Sequence, residues 1–327
     1  MKRFYKKKVL ITGGLGFIGS NLAIALVKQG AIVTIVDTLS PHQGGNLFNI
    51  ASISKKVQVD YSDIRDVSAM TQLVKEKDYI FHLARQTDHI LSQTDPFPDI
   101  DINIRGTAIV LEACKHHNPT VRFIYVGTRG QYGKAISLPV AETAATNPRG
   151  MYELTNLAAE KMVQIYHDMH GIRSVMLRLT NVYGPRSQMK SNHYGIVNWF
   201  IRQAIDGDVI SIYGDGTLKR DFLYIDDAIE AISLCAAIPA CYGEIINVGI
   251  DRSDTFLILI TKIIQIAKTG SYTFTPFSVE RARQEPGDFI SDISKIRKLT
   301  GWEPMTTLNA GLKKTIVYYR KYKKKYW

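Results

Sequence analysis

Three glycines and one aspartate are the residues whose spacing most directly implies chemistry. The segment Gly13-Gly14-Leu15-Gly16-Phe17-Ile18-Gly19-Ser20 lies between a short apolar run, Val9–Thr12, and a helical pattern. Glycine at 13, 16 and 19 permits a tight turn, close approach of backbone to a pyrophosphate, and contact between helix and sheet. Phe17 and Ile18 belong to the same turn, where a helix N-terminus would face the phosphates with free N–H groups and its positive dipole end. Asp37 follows 18 residues after Gly19, at the end of the next apolar run. An acid there accepts ribose hydroxyls and repels a 2′-phosphate, so the expected dinucleotide is NAD rather than NADP.

The elements that must position this turn alternate. Apolar runs at Val9–Thr12, Ile32–Val36, Val57–Val59, Tyr79–His82, Phe123–Val126 and Ser174–Leu179 read as buried strands. Helical periods fall between them at Gly19–Gln29, Val67–Lys75, Asn103–His116 and Tyr152–His170. Alternation of this kind specifies an α/β protein, a Rossmann-type doubly wound parallel sheet with helices on both faces. After Pro185 the pattern loosens into a helix at Val197–Asp206, a strand at Phe222–Ile225, helices at Asp226–Ala236 and Thr255–Lys268, and polar segments between them. The expected division is an NAD-binding domain at 1–185, with parts of 222–250 returning to its sheet, and a smaller C-terminal α/β substrate-binding lobe at 186–327.

The net charge of +11 is concentrated at the ends: residues 1–8 hold five Lys/Arg and residues 313–327 hold seven, with no acid in either. The body is therefore close to neutral. The aromatic and basic tail Tyr318–Trp327 has the composition to meet nucleic acid or anionic lipid. The favoured reading is instead a last helix, packed through Leu312, Ile316 and Tyr319, that frays into a solvated basic end, with neither nucleic acid nor membrane as a partner. Glycines interrupt the apolar run after Lys8, against a secretory leader. Three cysteines, Cys114, Cys235 and Cys241, match no disulfide framework. The cytoplasm is the expected location. His116, His117, His167 and His170 lack ligand-spaced company, so no metal centre is expected.

Thr-Gly-Gly-Leu-Gly-Phe-Ile-Gly-Ser resembles the extended short-chain dehydrogenase/reductase family, the nucleotide-sugar epimerases and dehydratases. The resemblance continues through Asp63-Ile64-Arg65, His82-Leu83-Ala84-Arg85-Gln86, Asn181-Val182-Tyr183-Gly184-Pro185, Tyr213-Gly214-Asp215-Gly216, Arg220-Asp221-Phe222-Leu223-Tyr224-Ile225-Asp226-Asp227 and Gly301-Trp302-Glu303-Pro304. It implies that Asp63 and Ile64 meet the adenine, and that Leu83, Ala84, Gln86 and Asn103 lie along the cofactor. It further implies that His89 and Arg129 line the sugar, Asn181 meets the pyrophosphate, Tyr213 lies by the nucleobase and Arg220 pairs with phosphate, in a homodimer formed through Asn103–His116 and Tyr152–His170. The family's second arginine stands directly before Pro-Gly; here Glu285 has that place, with Arg283 two residues earlier as the substitute.

The same resemblance places Thr128 and Tyr152 at the chemistry, with Asn156 where the family has lysine. That change matters. A free tyrosine has a pKa near 10, so a base at pH 7 needs a shift of about three units, or ~4 kcal/mol. Asn156 can hold a ribose hydroxyl but carries no charge; Arg129 or Arg85 would supply one by pointing inward, though an outward direction is the expectation. Sugar 4,6-dehydratases carry an Asp-Glu pair after the threonine, whereas this chain has Arg129-Gly130. The resemblance therefore favours a UDP-hexose 4-epimerase-like reaction through a transient keto sugar. Tyr152 is the expected base, or His89 shares its work; the alternative functions are a dehydratase of unusual regiochemistry or a keto-sugar reductase, and a catalytically weakened NAD-binding regulator or scaffold.

Overall fold

The structure, a computed structural model, describes residues 2–40, 43–192, 195–277, 282 and 285–327. Seven strands form the main sheet: β1 (Lys8–Thr12), β2 (Ile32–Val36), β3 (Val57–Asp60), β4 (Tyr79–His82), β5 (Arg122–Thr128), β6 (Arg173–Leu179) and β7 (Ile245–Val248). Their order is β7-β6-β5-β4-β1-β2-β3, and every pairing is parallel. The central strands are mainly apolar runs because both faces are covered. Along β1, Val9 and Ile11 enter one apolar cluster and Leu10 the other. The order reverses between β1 and β4, and that crevice is where a ligand is expected.

The principal helices are α1 (Phe17–Lys28), α2 (Val67–Leu73), α3 (Thr107–His117), α4 (Met151–His170), α5 (Ile196–Asp206), α6 (Ile225–Ala237), α7 (Phe256–Ala267), α8 (Ser294–Thr300) and α9 (Leu308–Tyr326). Local chemistry sets their ends. Asp66 caps α2 by accepting from Ala69 N, Thr255 caps α7 through Ile258 N, and Gly171 ends α4 at φ 69°. The helix expected from Asn103 is preceded by a wider π-helical stretch, Ile100–Gly106. Of residues 222–250, Ile245–Val248 joins the main sheet, whereas Phe222–Tyr224 pairs with Asn181–Tyr183 outside it. The polar segment after Thr269 contains an unexpected strand, Ser271–Thr275, parallel to Val209–Tyr213. Its Tyr and Phe are well suited to strands, but four of its five residues are exposed, so no buried pattern marks it.

The basic C-terminus corrects the expectation of a frayed end. Helix α9 runs to Tyr326, with Tyr319 at 0% and Tyr326 at 2% exposure. The aromatics at 318, 319, 322, 326 and 327 supply an apolar face that the lysines between them obscure in the sequence. Phe48 packs on the rings of Tyr322 and Tyr326 at 5.1 and 6.0 Å. The Tyr326 hydroxyl donates to Asn49 Oδ1 at 2.7 Å, and Asn49 Nδ2 donates to Leu15 O at 2.9 Å. The tail thus braces the glycine-rich turn from behind. Tyr326→Phe should lower stability by about 1–2 kcal/mol, because Asn49 Oδ1 loses its buried donor; denaturant titration checks this. No helix among the described residues is long and apolar enough to cross a membrane.

Candidate active site

A cleft of about 890 Å³ opens at the carboxyl ends of the central strands. Gly13, Gly16, Phe17, Ile18 and Gly19 form one wall. Gly13 sits at φ 71°, and a Cβ there would lie 2.8 Å from Ala84 N; a Cβ on Gly19 would run into the Gly13 carbonyl oxygen. Gly16 is the N-cap of α1 and has no side chain to satisfy the first-turn N–H groups, leaving them to an anion. Asp37 closes the far rim, accepting from Leu15 N and Leu39 N, both at 3.0 Å. Burial raises its carboxyl above the ordinary range, against the pull of those two bonds. Asp63 and Ile64 line the same end, but Arg65 engages both Asp63 oxygens, at 2.7 and 2.9 Å.

Leu83 and Ala84 face the glycine turn and are held by His82. The His82 ring bridges Thr12 and Thr107 at 2.9 and 3.0 Å, while Thr12 accepts from Leu83 N and Ala84 N. Burial, with the Arg85 charge, drives His82 down to about 3, so it is a neutral strut. Gln86 and Asn103 stand apart from the cleft lining. Both are fully buried: Gln86 N donates to Asn103 Oδ1 at 2.9 Å and Gln86 Nε2 to Asp99 at 2.8 Å. They brace the turn from beneath.

Thr128, the last residue of β5, and Tyr152, in the first turn of α4, both line the cleft. Burial pushes Tyr152 up to about 12, while the Arg85 charge and the Thr128 hydroxyl draw it down. Arg85 corrects the expectation of an outward side chain. Its Nη1 donates to Asn156 Oδ1 and to Tyr125 OH, each at 2.5 Å, and the guanidinium lies 4.0 Å from the Tyr125 ring centre. Asn156 is fully buried, donates to Tyr152 O at 2.8 Å, and is not part of the lining. The shorter Asn156 side chain accepts from Arg85 and does not reach the cleft lining, whereas Arg85 does. Its Nε and Nη2 have no protein partner among the described residues.

The substrate-side candidates Arg129, Asn181, Tyr213 and Arg220 also line the cleft. Arg129 also points inward, 4.5 Å from the Phe289 ring centre, and burial together with Arg220 lowers it to about 10. Arg220 donates to Glu285 Oε1 at 2.5 Å and to Gly287 O at 2.6 Å. Asn181 Nδ2 is buried without a partner among the described residues. Phe277 packs on Tyr213 at 5.8 Å. Arg283 lies outside the described residues. His89, which also lines the cleft, stands 4.3 Å from the Tyr152 ring and 3.1 Å from Glu153 Oε1. Among the described residues no cluster of His, Cys, Asp and Glu is arranged to hold a metal.

Residues 9–249 match the model of the NAD dependent epimerase/dehydratase family. The chain belongs to that family. It is an NAD-dependent nucleotide-sugar enzyme, and the glycine cradle, bare helix end and rim aspartate fit its cofactor. Among its relatives, a UDP-N-acetyl-alpha-D-glucosaminuronate decarboxylase of Bacillus cytotoxicus is 31% identical over 96% of this chain and 98% of its own. A dTDP-D-glucose 4,6-dehydratase of Mus musculus is 30% identical over 97% and 90%. The solved UDP-glucose 4-epimerase of Thermotoga maritima, with UDP-glucose, has a TM-score of 0.87 at 30% identity, covering 96% and 99%.

Within this epimerase/dehydratase fold, two residues escape the sequence reading. Glu153 carries no distinguishing signal in the sequence, because a first-turn acid reads as a helix-dipole partner. Its carboxyl reaches the space above Gly130, whose added Cβ would lie 2.8 Å from Glu153 Cγ. A carboxylate thus stands beside Gly130 although the chain lacks the Asp-Glu pair after Thr128. Glu285, which takes the family arginine's place in sequence, neutralises Arg220 in space. Glu285→Gln should therefore lower KM for a nucleotide diphosphate sugar by about three- to tenfold, on the scale of one screened charge contact. Steady-state kinetics at low salt would show it.

Proposed function

We propose that the chain is an NAD-dependent nucleotide-sugar epimerase of the UDP-hexose 4-epimerase type. The observation that carries this reading is the Tyr152 phenol, in the cleft lining with Thr128 and with the inward Arg85 cation lowering its pKa against the effect of burial. NAD, when bound, takes up and returns the hydrogen and electron pair of a carbinol carbon. Tyr152 accepts the proton of the sugar hydroxyl and later returns it. Thr128 holds the same oxygen and orients the phenol. Arg85 favours the ionised phenol, and its unpartnered Nε and Nη2 would hold the cofactor's ribose in place of the family lysine. Arg220 and Arg129 take the diphosphate through their planar donor forks, Asn181 Nδ2 adds a donor, and Tyr213 with Phe277 forms a stacking surface for the base. UDP is the favoured nucleotide, supported by the names of the decarboxylase and the epimerase among the relatives.

On this reading residues 1–185 with 222–250 hold the cofactor and 186–327 supply the sugar side. A homodimer through α3 and α4 is supported by Leu154, Ile165 and Met169, which are exposed on one face of α4; sedimentation at micromolar concentration tests it. Three buried free thiols suit the cytoplasm. The activity is tested by incubating protein and NAD in ordinary water with UDP-, dTDP-, GDP- and CDP-sugars, followed by mass spectrometry and proton NMR. The expected product is an isomer of unchanged mass with no net reduction of NAD. Loss of water or carbon dioxide, or no conversion of any sugar that binds, would overturn the epimerase reading.

A further inference from the structure

Glu153 and His89 form a second proton-handling pair in the cleft that hydroxyl oxidation does not need. Glu153 is largely buried, with 17% of its side chain exposed, whereas His89 is 56% exposed. The two are joined at 3.1 Å, and the His89 ring lies 4.3 Å from the Tyr152 ring. A first-turn acid needs none of this for helix capping. His89 comes from the segment after β4, and the absence of a side chain at Gly130 leaves the space that the Glu153 carboxyl occupies. Burial raises Glu153, but the bond to His89 and the His89 and Arg129 charges outweigh it, leaving the carboxyl below its ordinary range and ionised at neutral pH.

We propose that Glu153 removes the proton from the ring carbon beside the ketone of a nucleotide-linked 4-keto sugar, with His89 passing that proton to solvent. This rests on the reading that a 4-keto sugar forms in the cleft. The Glu153 oxygen takes the proton; the C–H electron pair becomes a carbon–carbon double bond, and the carbonyl π pair moves onto oxygen as an enolate. Thr128 and Tyr152, already placed at that oxygen, hold the negative charge. Return of a proton to carbon from Glu153 restores the ketone on the face from which the first proton left, and no oxidant or reductant is consumed. The cleft then serves carbon-acid chemistry at the neighbouring position as well as oxidation and reduction at the first.

The test supplies the ketone directly. UDP-4-keto-6-deoxyglucose is incubated in D₂O with the NAD-loaded protein, and loss of the proton signals flanking the carbonyl is followed by NMR. The wild-type protein is expected to exchange one of these positions about 100-fold faster than buffer, the lower range of general acid–base catalysis. Glu153→Gln should fall to within a few-fold of buffer. Glu153→Asp, which keeps the carboxylate, should stand between, and His89→Asn should slow exchange less than Glu153→Gln. Wild-type exchange at the buffer rate, or equal rates in wild type and Glu153→Gln, would overturn the proposal. Isomerisation of UDP-sugars without exchange would reject this step and leave the epimerase reading standing; exchange without isomerisation would do the reverse.

Discussion

Tyr152→Phe is expected to lower kcat/KM for sugar interconversion by about 10³- to 10⁴-fold while leaving nucleotide-sugar affinity within a few-fold. The phenol lines the cleft with Thr128 and lies under the Arg85 field. Removing its oxygen deletes the acceptor for the hydroxyl proton, and positioned proton transfer accounts for a factor of this order. The ring stays, so packing against His89 is kept. Binding should survive because the diphosphate contacts are assigned to Arg220 and Arg129, which the substitution does not touch. Stopped-turnover kinetics with an independent binding titration separates the two quantities. A loss carried by KM instead of kcat would move Tyr152 from chemistry to binding.

Arg85→Gln is expected to reduce kcat/KM at pH 7 by about 10- to 100-fold and to move its alkaline rise to higher pH. The sign follows from the charges. Burial pushes the phenol up to about 12, and Arg85 opposes that by favouring phenolate. Without the cation the phenol must rise further, so less of it is ionised at any given pH; a neighbouring opposite charge is worth one to three units, roughly. Gln remains long enough to bond Asn156 Oδ1, which limits damage to the buried contact. Arg85→Lys should recover a large part of the activity. In Asn156→Lys a second cation would meet Arg85 in a fully buried slot, and binding and folding should suffer. The double change Arg85→Ala with Asn156→Lys should be more active than either single change, since one cation again serves the phenol. Pairwise non-additivity of this kind is what contact between the two side chains requires.

The sheet was readable because its central strands are buried on both faces and therefore spelled as mainly apolar runs. The glycine turn was readable because close backbone approach admits no side chain at Gly13 or Gly19. What a motif does not encode is where a long side chain turns. Arg85 points inward because Asn156 is short and offers it an acceptor, a relation between residues 71 positions apart. Gln86 and Asn103 share the turn's sequence neighbourhood but satisfy each other beneath it. Glu153 was obscured by its position in a helix first turn, where an acid has an ordinary electrostatic use. The tail misled for a related reason: its charges dominate the composition, while Tyr319 and Tyr326 decide its packing.

The most direct measurement is the titration of Tyr152 itself, by NMR of protein labelled at the tyrosine ζ carbon, with NAD bound and the signal assigned through Tyr152→Phe. The phenol in the wild-type protein should titrate at least about one unit lower than in Arg85→Gln, a difference of roughly 1.4 kcal/mol in favour of phenolate. Equal titration in the two proteins would contradict the account, because the inward arginine would then not be the charge that stands in for the missing lysine.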